Sequence, residues 1–295
     1  MGKNIQYGGQ AVIEGVMMRG PDAVALAVRK PTGEIVIEKE AITSPRQKYK
    51  VLGWPLIRGG VVLVDSLMLG VKTLNRSAVL AGEEDEQLSS TDLIWTTVLA
   101  ILLALVLFVA LPTGIVHFAK GLIGGVMAQN VVEGIVRFLV FLGYVWGISR
   151  LNEIQRVFKY HGAEHKVINT FESGAVLNVE NTGGHSILHP RCGTSFLLIV
   201  MVISILVFAC LGEGSLLWRV FSRVAVFPIV AGLGYEFIKL TSRFADRDWA
   251  RWLMAPGLWL QKLTTGEPDD DQIEVALQAL AAVMEPPPSI LSYEG

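Results

Sequence analysis

The chain has 295 residues, is 52% hydrophobic and carries a formal charge of −2, with a mean hydropathy of +0.48. A near-neutral balance gives no ground for a nucleic-acid partner. The apolar excess is gathered into runs, which excludes an ordinary soluble domain, and two cysteines, Cys192 and Cys210, exclude a disulfide framework.

The first segment, Met1-Gly2-Lys3-Asn4-Ile5-Gln6, has no apolar stretch of a signal peptide and no myristoylation pattern. Targeting is therefore expected to come from internal membrane spans. Residues 8–53 read as β-rich. Ala23–Val28 and Glu34–Ile42 gather β-formers around Pro31-Thr32-Gly33, which predicts a hairpin. The glycine-rich stretch at 8–21 offers a further strand. Its glycines fit no nucleotide-binding loop, and tight turns or close packing account for them better.

Residues 55–76 are apolar but interrupted by Arg58, Asp65 and Lys72, spaced by seven and so near one side of a helix. The apolar run between them is short for a bilayer crossing. An interfacial, re-entrant or membrane-domain-packed helix is expected. Residues 82–92 are acidic and read as a linker.

Four spans are then expected: Leu93–Val116, Val131–Ser149, Ser195–Leu217 and Val220–Leu240, the last kinked at Pro228. The second carries Glu133 and Arg137 at i,i+4. Ionisable groups in a span default to a functional role, with an intrahelical pair facing protein or water as the alternative. Lys120 is the sole Lys or Arg in 117–130, whereas 150–194 holds Arg150, Arg156, Lys159, Lys166 and Arg191. The positive-inside rule then puts both termini and the 150–194 segment in the cytoplasm. Arg219 and Arg223, after the third span, run against that rule. Beyond Leu240, tryptophans among arginines suit the headgroup zone. Ile273, Leu277, Leu280 and Met284 predict an amphipathic helix over 270–284, with Asp269–Asp271 at its start and Pro286-Pro287-Pro288 at its end. That helix is expected to pack on the β module or on a neighbouring subunit.

The chemistry-bearing residues cluster between the second and third spans. In His161-Gly162-Ala163-Glu164-His165 two imidazoles lie one helical turn apart, as ligation of one metal requires. The stretch also matches the inverted zincin pattern H-x-x-E-H. Glu164 is a candidate general base or a partner that orients an imidazole. Glu172 offers a further oxygen. His189-Pro190-Arg191-Cys192 adds His189 and Cys192, and His185 is a weaker candidate. The ligand set for a divalent metal such as zinc is therefore His161, His165, His189 and Cys192. A polar hydrogen-bonded cluster stapling membrane helices is the alternative. His161 falls some 12 residues past the second apolar run, about 18 Å along a straight helix. The two halves meet only if the helix bends, for instance near Gly162, or if 150–160 runs along the interface. Cys210, inside an apolar run, is expected to be a buried core residue.

At GGQAVIEGVMMRGP (8–21), PLIRGG (55–60), YHGAEHKVIN (160–169) and HPRCGTSFL (189–197) the chain resembles the YqhQ-like family of bacterial membrane proteins of unknown function. The resemblance covers nearly the whole chain. The family has been described as predicted metal-dependent enzymes, on the same His and Cys residues, and the resemblance implies no particular reaction.

The expected architecture is an α-helical polytopic membrane protein with about four transmembrane helices and a small N-terminal β-rich cytoplasmic module. Its parts are a module at 1–53, an interfacial helix and linker at 54–92, a membrane domain at 93–240 with the His/Cys segment 150–194, and an interfacial segment and helix at 241–295. The expected function is a metal-dependent, hydrolase-like site at the cytoplasmic face of the inner membrane. A scaffold or translocation factor, and a small transporter using Glu133 and Arg137, are the alternatives. The lipid bilayer, a homo-oligomer and a cytoplasmic protein are the expected partners.

Overall fold

The structure, a computed structural model, describes residues 7–42, 53–55, 57–82, 90–212, 214–244 and 247–284. Strands β1 (Gly8–Val12), β2 (Gly15–Arg19), β3 (Ala23–Arg29) and β4 (Ile35–Ala41) form an antiparallel meander in that order. The β3–β4 hairpin turns where Pro31-Thr32-Gly33 predicts it. Gly33 takes φ +89° there, and Lys30 N–H donates to the Glu34 carbonyl at 2.9 Å. The 8–21 segment supplies two strands rather than one, joined at Ile13-Glu14, with Glu14 in the left-handed region at φ +52°.

Side chains alternate across the sheet, so each face meets its own layer. Val12, Met17, Val24, Leu26 and Val28 face helix α1 (Ile57–Ala81), where Leu69, Leu80 and Ala81 pack against them. Val16, Met18, Ala25 and Ala27 face α5 (Asn152–Ser173) and α10 (Asp270–Val283). Helix α10 is the amphipathic helix expected from the sequence. Ile273, Leu277, Leu280 and Met284 are buried against the sheet, and Asp269 with Gln272 forms a capping box at its start. The proline run at 286–288 lies outside the described residues.

The three charges of α1 each reach a different element. Arg58 pairs with Glu236 of α8 (Leu216–Arg243), Asp65 with Arg19 of β2, and Lys72 with Glu40 of β4. One end of α1 thus leans on an apolar helix and the other on the sheet. Of the linker expected at 82–92, residues 83–89 lie outside the described residues.

The helical layer consists of α2 (Ser90–Leu105), α3 (Leu111–Phe118), α4 (Val126–Ile148), α7 (Gly193–Ala209), α8 and α9 (Asp248–Thr264). The turn Val106–Ala110 that links α2 to α3 is π-helical. Pro112 cannot offer an N–H to the Phe108 carbonyl one turn earlier. Arg137 of α4 bonds that oxygen instead, at 2.8 Å. Among the described residues, three helices are long and apolar enough to cross a membrane: Ile94–Phe118, Val126–Ile148 and Leu217–Arg243. The bounds expected for the third span, Ser195–Leu217, are corrected. Helix α7 stops at Ala209 after 17 residues, and a loop with Gly212 and Gly214 separates it from α8. Cys210 is exposed at the end of α7, not buried.

Helix α5 does not bend at Gly162. The chain turns at 149–151, where Leu151 takes an extended conformation (φ −80°, ψ 129°) and α5 sets off in a new direction. Gly162 has another use. The 265–269 connection crosses α5 there, with Gly266 N–H donating to the Phe158 carbonyl at 2.8 Å, and a Cβ on residue 162 would collide with the Gly266 carbonyl oxygen. One short helix, α6 (Val179–Gly183), packs on α5 and α10.

Gly162→Ala is therefore expected to destabilise the protein by about 1–3 kcal/mol through forced overpacking. A thermal scan in detergent reads this as a lowered midpoint, and an unchanged midpoint would contradict the crossing at residue 162.

Candidate metal centre

Helix α5 is polar, yet its second half is buried by the sheet, α10 and the 265–269 connection. Glu164, His165, Lys166 and Thr170 are each at most 4% exposed. Burial on this scale requires partners for the polar groups. Lys166 Nζ donates to the Gly183 carbonyl and pairs with Glu267, both at 2.5 Å. Asn169 Nδ2 donates to the carbonyls of Ser186 and Leu188.

The two imidazoles are fixed in the same way. His161 Nδ1 lies 2.8 Å from the Thr264 carbonyl oxygen, and His165 Nδ1 lies 2.6 Å from that of Ile187. A carbonyl only accepts, so both rings carry a proton on Nδ1, and Nε2 is the atom each could offer to a metal. His161 Nε2 faces Cys192 Sγ at 3.2 Å, and the two ring centroids are 4.4 Å apart. One donor atom from each of His161, His165 and Cys192 lies within 4.8 Å of the other two.

Cys192 reaches this place because it caps α7. Its Sγ sits at the helix start, 3.4 Å from Thr194 N and 3.1 Å from Thr194 Oγ1. The preceding loop is held from α9. The buried Gln261 accepts from His189 N–H at 2.9 Å and donates to both the His189 carbonyl and Ser195 Oγ at 2.8 Å. Sequence reasoning missed Gln261, which lies 72 positions from His189 and carries no local motif.

His189 stands apart from the converging set. Its Nε2 faces Glu172 at 3.4 Å, and its Nδ1 accepts from Arg191 N–H at 3.4 Å. Glu172 also pairs with the Arg191 guanidinium. The hydrogen bond from His189, reinforced by Arg191, holds the Glu172 carboxyl below its ordinary value of 4.5. His185 does not line the site. Glu164 does: its carboxylate is 3.4 Å from His165 Nε2, and its Cγ packs so closely on β1 that a Cβ at Gly9 would sit 2.8 Å from it. His161, Glu164, His165, His189, Arg191 and Cys192, with Tyr7 to Gly9 of the sheet edge, enclose a cavity of about 100 Å³.

On the sheet side, Tyr160 touches Glu14, which also pairs with Arg156. Burial, helped by the Glu14 charge, pushes the Tyr160 hydroxyl up to about 12. The strained turn residue Glu14 thus ties β1–β2 to α5 at Arg156 and Tyr160, just before His161.

The model of the family described as "Protein of unknown function (DUF1385)" matches residues 54–286, and the chain belongs to that family. It is 35% identical over 287 residues to the "Uncharacterized protein YqhQ" of Bacillus subtilis (strain 168), covering 92% of this chain and 90% of that protein. No solved structure matches.

The lowered Glu172 value sets a pH dependence. A carboxyl depressed in the fold stabilises it above the ordinary value of 4.5, and that contribution is lost as pH falls through the depressed value. Glu172→Gln should flatten the acid limb of stability measured in detergent below about pH 5. An acid limb identical to wild type would remove Glu172 from the clamp on the His189–Cys192 loop.

Proposed function

We propose that this member of a family without an assigned reaction is an integral protein of the cytoplasmic membrane that holds one divalent transition metal, zinc by its donor set, for a hydrolytic reaction at the cytoplasmic face. The observation that carries the reading is the pair of Nδ1–H···O=C bonds. They hold Nδ1 of both imidazoles on a carbonyl, which leaves Nε2 of His161 facing the Cys192 sulfur and Nε2 of His165 facing Glu164, as the second nitrogen of a ligating histidine is anchored in metal sites. Imidazole and thiolate together suit zinc. Three protein donors, with a cavity beside them, match catalytic rather than structural zinc sites, which take four.

The ligands in this reading are His161, His165 and Cys192, with His189 as the positioning residue that keeps Glu172 and Arg191 at the rim. A divalent ion supplies Lewis-acid activation of a substrate oxygen or of water. Glu164, buried and in the same cavity, takes a proton from the attacking water and returns it to the leaving group. Arg191, at the rim, suits an anionic group on the substrate.

Membrane residence is supported by the three long apolar helices and by exposed Ile101, Leu103, Phe118, Leu206 and Phe221 on the helical layer. Helix α7 serves as a fourth, shorter crossing. The polar module of β1–β4, α5 and α10 joins the bundle at the end where α7 begins. The basic residues of 150–194 favour the cytoplasm for that end and for both termini. A second reading rests on the 3.2 Å separation of His161 Nε2 and Cys192 Sγ, which is also that of a thiol hydrogen bond. In it the cluster is a metal-free clamp between α5 and α7, and the protein is a membrane scaffold.

Elemental analysis of detergent-purified protein separates the two. The metal reading expects about one zinc-class ion per chain, lost in His161→Ala and Cys192→Ala and retained in His189→Ala. Wild-type protein free of stoichiometric metal after purification without chelator would leave only the clamp.

A further inference from the structure

The opposite end of the helical bundle holds a second group of buried charges. Glu133 of α4 is 1% exposed and lies between two arginines. Its carboxylate receives Arg137 Nη2 at 2.9 Å, Arg223 Nε at 2.8 Å and Arg223 Nη2 at 3.0 Å, with Thr113 Oγ1 at 3.0 Å. Asn130 takes a further N–H of Arg223 at 2.8 Å. Two guanidiniums therefore share one carboxylate. This is the group of charges whose first two members, Glu133 and Arg137, suggested a transport role.

Arg219, one turn before Arg223 on α8, completes the cluster without a carboxylate among the described residues. It is 4% exposed. Its Nη2 donates to Gln129 Oε1 at 2.6 Å, whereas Nε and Nη1 are buried with no hydrogen-bond partner among the described residues. A buried guanidinium with two idle N–H groups is costly, because it has lost water and gained too little in exchange. Arg219 lines a cavity of about 330 Å³ together with His117, Lys120, Gln129 and Gly214. His117 Nδ1 is likewise buried and unpartnered among the described residues. Helices α4 and α8 both begin at this cavity, so their positive ends add to the field.

We infer that this cavity is a binding site for a phosphate-class anion, with the Arg219 guanidinium as its buried N–H donor and Lys120 a cation at the rim. Among the described residues arginine outnumbers carboxylate here, which favours a negative guest, and Arg219 Nε and Nη1, on different edges of the guanidinium, each leave a charged N–H that a phosphate oxygen can take. The surroundings are those of a bilayer surface. Phe118, Leu122, Leu217, Trp218 and Phe221 are all at least half exposed around the same end, so a phospholipid headgroup with its chains against these side chains is one source of the phosphate. Free phosphate is the other. This also explains why Arg219 and Arg223 sit where the positive-inside rule disfavours them.

The test uses the full chain, delipidated in nonionic detergent, with phosphatidylglycerol, inorganic phosphate and uncharged diacylglycerol as separate probes and the thermal midpoint as the readout. Phosphatidylglycerol is expected to raise the midpoint in a saturable way, and Arg219→Gln to weaken that response about tenfold. A matching response to inorganic phosphate assigns the site to a free anion, and its absence assigns it to the lipid. Lys120→Gln, at an exposed rim position, serves where Arg219→Gln fails to fold, with a smaller loss expected. Glu213 lies outside the described residues, so Glu213→Gln is included. Equal responses to all three probes, no response at all, a response untouched by both cationic variants, or binding gained only in Glu213→Gln would overturn the site.

Discussion

The structure turns on the burial of a polar helix. Helix α5 carries two histidines, a glutamate and a lysine into the interior, and an interior position forbids leaving such groups unpaired. Their partners come from remote chain: the Thr264 and Ile187 carbonyls, Gly183, Glu267 and the sheet edge at Gly9. Each partner also fixes a piece of architecture. Bonding His161 to Thr264 docks the end of α9, and bonding His165 to Ile187 docks the loop that leads to Cys192. The convergence of two imidazoles and a thiol is therefore a by-product of satisfying α5, and the same bonds decide which ring nitrogens remain available.

The bundle has two chemically distinct ends. At one, the sheet, α5 and α10 cover a small polar cavity with sulfur and nitrogen donors and a carboxylate. At the other, arginines outnumber carboxylates among the described residues, and Arg219 at the cavity keeps unpartnered N–H groups there. The first arrangement suits a cation and the second an anion. Between them the apolar helices supply the separation, and Arg137 serves the helices themselves by filling the carbonyl that Pro112 leaves open.

Local patterns were legible in the sequence, and long-range ones were not. The β3–β4 hairpin and helix α10 follow from turn residues and from apolar spacing, both of which are properties of neighbouring residues. The pairing of Glu133 with Arg137 follows from their i,i+4 spacing. The end of α7 was obscured because apolar residues resume at Leu216 and Leu217, so that Gly212-Glu213-Gly214-Ser215 reads as a short interruption of one run. Gly162 drew attention as a hinge, yet it is small because another chain segment crosses it, a demand no local pattern records. In the candidate site, the i,i+4 pair of His161 and His165 was readable. Whether His189 or Cys192 would join them was not, since Gln261 on α9 sets the path of that loop and turns His189 toward Glu172.

The central claim is that His161, His165 and Cys192 converge on one metal ion while His189 stays outside. X-ray absorption at the edge of the bound metal tests it most directly. The account predicts a shell with two imidazole nitrogens at about 2.0–2.1 Å and one sulfur at about 2.3 Å, completed by a light atom. A shell of oxygens alone, or a third imidazole in place of the sulfur, would contradict it.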